Sequence, residues 1–151
     1  MLCGQGSSGK TTFWRQYLST KTVVSIDGIV GESNFEDNIE LYLLKFANQI
    51  RLSTDKNEDT VLDFSHDTVK ERMKSLIHIS SPYNYNLLVI SMSLDFPTLI
   101  KNDLQRKGLK ALSNESLLNM LNIYNNFIPP TIAEFEKYNF KSIVIAEHKQ
   151  I

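Results

Sequence analysis

The residues Gly4-Gln5-Gly6-Ser7-Ser8-Gly9-Lys10-Thr11 leave this chain little choice about what it can fold into. Their spacing, G-x-x-x-x-G-K-[ST], works only where a strand runs into the loop and a helix leaves it. Glycines let backbone N–H groups curl around a β-phosphate, Lys10 reaches the β and γ oxygens, and Thr11 offers a hydroxyl to Mg²⁺. Both flanks comply. Met1-Leu2-Cys3 is apolar like the end of a strand, although short for one, and Phe13, Tyr17 and Leu18 fall at helical spacing in a helix expected over 12–19. The positive end of that helix faces the same anion. Candidate nucleotide-holding residues are therefore Gly4, Gln5, Gly6, Ser7, Ser8, Gly9, Lys10, Thr11 and Thr12. The implied cofactors are a nucleoside triphosphate, ATP or GTP, and Mg²⁺; no motif here selects the base.

Beyond the loop, strand and helix patterns alternate. Thr22 to Ile26 is β-branched and ends at Asp27-Gly28. Ser33 and Glu36 have capping-box spacing, and Ile39, Leu43, Phe46 and Ile50 follow as one face of a helix over 34–52. Polar residues 53–59 read as a loop, and Thr60-Val61-Leu62 delivers Asp63 as a second strand-end carboxylate. Thr68 and Glu71 form another capping box, with Val69, Met73, Leu76 and Ile77 as the expected buried stripe. Leu87 to Ile90 is an apolar run of the kind found in a strand covered on both faces. Pro97 opens a helix carrying Leu99, Ile100 and Leu104 that ends before Gly108; Leu117, Met120, Leu121 and Tyr124 define another, broken at Pro129-Pro130. Lys141 to Ala146 is a last strand. This order predicts an α/β fold, a parallel sheet with helices on both faces, whose ligand lies at the carboxyl ends of the strands. The loop, Asp27 and Asp63 all fall there.

A chain of 151 residues makes a single domain, 1–151, large enough for a real core. No apolar run approaches the roughly 18 residues of a membrane span, so the sequence predicts no membrane partner. One cysteine and the absence of a leader-like segment fit a cytoplasmic protein, with Cys3 a buried strand residue. Sixteen basic against seventeen acidic residues exclude binding to nucleic acid by bulk charge. Lys101, Arg106, Lys107 and Lys110 nevertheless cluster in a segment, about 101–113, that reads as a lid. Lys70, Arg72 and Lys74 form a second cluster whose default reading is a solvated helix face.

Phosphoryl transfer needs a cradle, a metal, a group to take the acceptor's proton, and positive charge for the transition state. Gly4 to Thr11 is the cradle, with Lys10 neutralising charge. Thr11 and Asp63 are the candidate Mg²⁺ holders, Asp27 the candidate base, and Arg106 with Lys107 the candidate lid cations.

GQGSSGKTT, VVSIDGI, VLDFSHDTVKERM, a strand followed by DFP, the basic RKG and the late YNNFIPPTIAEFEKYNF together resemble the P-loop polynucleotide 5′-hydroxyl kinases over nearly the whole chain. The late F-x-x-P-T-x-x-E piece (Phe127, Pro130, Thr131, Glu134) is the more particular part. The resemblance implies a three-layer P-loop NTPase fold with five strands in the order 2-3-1-4-5, as in adenylate kinase. It also implies Asp27 as general base on the 5′-OH of a DNA or RNA end, and Arg106 on the donor phosphates. Acceptor contacts then fall to Asp27, Ser65, His66 and Arg72. The sequence departs from the family pattern in three places. Val30 stands where an acceptor-holding arginine is expected, Asp63-Phe64-Ser65-His66 replaces D-x-T-N, and Arg106 with Lys107 replaces a pair of spaced arginines. A kinase of a small-molecule or nucleotide acceptor, and a nucleotide-gated binding protein without transfer activity, are the alternatives. Oligomeric state is left open.

Overall fold

Five short strands in the sequence become one parallel sheet, because each of the first four is followed by a segment long enough to return the chain to the strand's starting edge. The computed structural model describes residues 1–26, 29 and 39–149. Within them lie β1 (Leu2–Gly4), α1 (Lys10–Tyr17), β2 (Thr22–Ser25), α2 (Ile39–Asp55), β3 (Thr60–Asp63) and α3 (Val69–Leu76). The chain continues through β4 (Asn86–Met92), α4 (Phe96–Lys107), α5 (Asn114–Asn126), the short α6 (Ile132–Phe135) and β5 (Ser142–Glu147). The strand order is β2-β3-β1-β4-β5, as expected. Leu2 is in register with Asp63 on one side and Ile90 on the other, so the three-residue β1 is held centrally between longer neighbours.

The pleat sends adjacent residues to opposite faces. Cys3, Val24, Leu62 and Val89 meet Phe46, Ile50 and Phe135 on one side. Leu2, Val61 and Met92 meet Phe13, Trp14 and Leu18 of the α1 region on the other. Each such side chain, fully buried, contributes about 1.5–3 kcal/mol. Burial pushes the Cys3 thiol up to about 11, in keeping with an inert core residue.

Several local expectations need correction. The first helix begins at Lys10, two residues early, with Gly9 as a left-handed N-cap (φ 96°) that a residue with a Cβ adopts only under strain. The capping box at Ser33 and Glu36 lies outside the described residues, and the helix expected to stop at 52 runs on to Asp55. Its polar end stays helical, and there Ser53 and Thr54 turn their hydroxyls back onto helix carbonyls, Thr54 Oγ1 donating to Ile50 O at 2.8 Å. In α3 the Thr68 cap is present, its hydroxyl accepting from Glu71 N, yet of the expected stripe only Leu76 is buried. Val69, Met73 and Ile77 face outward, and Arg72 and Ser75 take the inner positions. β4 is not covered on both faces along its length, since Leu88 is exposed where it pairs with the exposed Val144.

Candidate active site

The loop between β1 and α1 turns over the carboxyl edge of the sheet. Ser7 adopts φ 64° within it, and Ser8 N donates to Gln5 O at 3.2 Å. Gly4 is required by space: a Cβ there would stand 2.3 Å from Met92 O and 2.6 Å from Ser8 Oγ. Lys10 arches back over the loop, its ammonium donating to Gly4 O and Gln5 O at 3.0 Å each. The buried Gln5 accepts from Leu94 N, which ties the loop to the β4–α4 link. Gly6 and Thr12 are exposed beside it.

Thr11, in the first turn of α1, donates from Oγ1 to Asp63 Oδ2 at 3.1 Å. The two groups read from sequence as Mg²⁺ holders are therefore adjacent, although 52 residues apart in the chain. A hydroxyl and a carboxylate are the hard oxygen donors such an ion takes, so the residues fit it. What sequence reasoning missed is Trp14, whose indole N–H donates to the same Oδ2 at 2.7 Å. The signal was present, because Trp14 follows Thr11 at i+3 and so lies on the same helix face.

Of the basic stretch 101–113 read as a lid, residues through Lys107 belong to α4, capped by Asp95 and closed by Gly108 at φ 65°. α4 is docked on the loop: Asn102 Nδ2 donates to Ser7 O at 3.0 Å, and Ser7 Oγ donates to Asp103 Oδ1 at 3.2 Å. Asp103 is buried and also holds Arg106 Nη2 at 2.6 Å and Lys107 Nζ at 2.8 Å. Burial would raise its pKa, but the hydrogen bonds from Lys107 and Arg106 keep it below the ordinary value. Arg106, 67% exposed, thus stands next to the loop on a buried carboxylate.

Two of the four acceptor assignments fall on residues that are fully engaged inside the protein. Arg72 is 0% exposed. Its Nε and Nη2 donate to the two carboxylate oxygens of Glu134, and Nη1 donates to His66 O and Ile128 O. It is neither an acceptor contact nor part of a solvated face. His66, expected as an acceptor contact or a surface hydrogen bonder, is buried at φ 44°, with Nδ1 2.8 Å from Leu2 O and Nε2 2.6 Å from Ser75 Oγ. A carbonyl only accepts, so Nδ1 carries the proton and Ser75 donates to Nε2. Burial, joined by the positive charges of the N-terminus, Lys10 and Arg72, lowers the His66 pKa to about 3 despite the Leu2 hydrogen bond, keeping the ring neutral. Ser65 is exposed at the carboxyl edge. Asp27 lies outside the described residues.

A five-stranded parallel sheet in this order, with the loop over its carboxyl edge, defines the fold of the P-loop kinases. Among solved structures, a candidate kinase from Chloroflexus aurantiacus is similar at 15% identity and a TM-score of 0.62, over 97% of this chain and 86% of that one. An uncharacterized protein from Eubacterium ventriosum is similar at 13% identity and a TM-score of 0.50, with the same coverage of 97% and 86%. The shikimate kinase of Acinetobacter baumannii, solved with shikimate, stands at 14% identity and 0.49 over 95% of this chain and 80% of that one. No protein-family model matches the sequence, and no curated protein is similar to it at a significant level.

Proposed function

We propose that this protein is a P-loop kinase that moves the γ-phosphate of a nucleoside triphosphate to a hydroxyl of a small molecule. The observation that supports the reading is the Thr11–Asp63 contact beside a lysine folded over the loop carbonyls, a hydroxyl and a carboxylate suited to Mg²⁺ next to a loop suited to phosphate. In this role Lys10 turns from the loop carbonyls to the β/γ oxygens, and the loop N–H groups hold the β-phosphate. Thr11 and Asp63 hold Mg²⁺, which when bound neutralises charge on the phosphates. Arg106 and Lys107 face the developing charge. Asp27, which follows β2 in sequence, is the candidate to take the acceptor's proton as its oxygen bonds to phosphorus and the bridging oxygen leaves with the nucleoside diphosphate.

A small acceptor is favoured over a nucleic-acid end because Arg72 and His66, two groups that would have gripped the end, are committed to internal partners. The near-neutral charge of the chain supports the same choice. Transfer of labelled γ-phosphate to a panel of small alcohols, nucleosides and 5′-OH oligonucleotides tests this directly. Preferential labelling of an oligonucleotide end would restore the polynucleotide reading, and nucleotide binding without any transfer would leave a nucleotide-gated binding protein. Asp27→Asn should lower kcat by about 10²–10⁴ with little change in nucleotide affinity.

A further inference from the structure

A cavity of about 410 Å³ lies between α2 and α3, within the range of roughly 300–1,000 Å³ usual for small-molecule sites. Leu43, Leu44, Phe46 and Ala47 of α2 form one wall, and Phe64 forms another. The Phe46 and Phe64 rings pack at 5.4 Å between centroids. Two facts place this cavity in the economy of the site. Phe64 directly follows Asp63 at the carboxyl end of β3, its side chain leaving by the opposite face of the sheet from the carboxylate that meets Thr11. The link 56–59 joins the end of α2 to the start of β3, so the opposite end of α2, where Glu40 lines the cavity, points toward the carboxyl edge where the loop lies.

The charges decide what fits. Of the basic groups lining the cavity, Lys74 is paired with Glu71 at 2.7 Å, and His78 Nδ1 stands 3.1 Å from Arg51 Nη2, whose charge, after burial, lowers the His78 pKa and favours the neutral ring. Glu40 adds a negative charge. A polyanion such as a nucleic-acid end would meet apolar walls, a carboxylate, a lysine already engaged by Glu71 and a neutral imidazole, and burying its charge there is costly. Leu44, 68% exposed and projecting into the cavity, presents an apolar surface that a ligand would cover.

We propose that this cavity seats the phosphate acceptor, and that the acceptor is a neutral alcohol with an apolar or aromatic body rather than a polyol or a nucleic-acid end. The proposal rests on the kinase reading above, and the experiment keeps the two separable. The only tryptophan, Trp14, touches Asp63, so its fluorescence reports binding of Mg·ATP. Saturation-transfer NMR reports binding of 2-phenylethanol, and labelled γ-phosphate reports transfer to 2-phenylethanol, glycerol and a 5′-OH oligonucleotide. The expected result is that wild type binds 2-phenylethanol and labels it in preference to the other two. Leu44→Lys, at an exposed position that leaves folding intact, should then raise the apparent KM for 2-phenylethanol by about tenfold or more, with the Mg·ATP titration as its control. Absence of 2-phenylethanol binding in a protein that binds Mg·ATP overturns the acceptor assignment alone, as does preferred transfer to glycerol or the oligonucleotide, or a Leu44→Lys variant with an unaltered KM. Failure to bind Mg·ATP overturns the kinase reading beneath it.

Discussion

Asp63 shows how much one side chain carries at this edge. Its Oδ2 accepts from both Thr11 and Trp14, so the carboxylate is oriented before any ligand arrives. Asp63→Asn keeps the shape and the acceptor oxygen but removes the charge that a cation requires. Nucleotide binding measured without Mg²⁺ should change little, while the Mg²⁺-dependent gain in affinity and any transfer should be lost. His66 makes a second residue-scale prediction. Its pKa of about 3 in the folded chain lies below the ordinary 6.5, so the unfolded state takes up the proton first as pH falls. This contribution to stability is complete above pH 6.5 and declines below it by about 1.4 kcal/mol per pH unit, or roughly 2 kcal/mol between pH 6.5 and 5, before most carboxylates titrate. Urea unfolding at a series of pH values checks it. His66→Asn, which tolerates the left-handed backbone, should flatten that slope while lowering stability overall.

At the scale of elements, α3 is fastened by charge. Arg72 joins it to α6 through Glu134, to the Ile128 carbonyl, and to the turn after β3 through His66 O. Removing one member of a buried pair strands the other, so Glu134→Gln should cost about 3–5 kcal/mol in denaturant unfolding. Replacing Arg72 and Glu134 together with apolar residues should cost less than the sum of the single changes. α4 is fastened to the loop by Asn102 and Asp103, which holds Arg106 beside the loop; in the proposed reaction it faces the developing charge. Arg106→Ala should therefore lower kcat more than it raises the nucleotide KM. An effect confined to KM would make Arg106 a binding residue only, and no effect would make it an ordinary exposed helix end.

For the whole molecule, the loop is joined to β4 through Gln5 and Leu94, to β3 through Thr11 and Asp63, and to α4 through Ser7. A ligand held in the loop is therefore coupled to the folding of most of the sheet. Mg·ATP at about 100 times its Kd should stabilise the chain by about 2.7 kcal/mol, seen as a rise in Tm of several degrees. Lys10→Ala should fold but lose that rise, because its ammonium bonds to the carbonyls of the loop it closes over. Among the described residues no helix is long and apolar enough to cross a membrane.

The alternation of strands and helices, the position of the loop and the strand-end placement of Asp63 were all legible in the sequence. They depend on local rules: glycine where backbone must turn, a period of two or of 3.6, and caps at helix starts. The inner face of α3 was not legible. A helix carrying Val69, Met73 and Ile77 reads as burying them, and only the arrival of Glu134 and of the Leu2 carbonyl from distant parts of the chain makes it favourable to bury Arg72, and His66 against Ser75, instead. Two of the groups assigned to the acceptor were misplaced for that reason. A buried polar group is stable only when its partners are in place, and partners brought together across 62 residues are supplied by the tertiary structure alone.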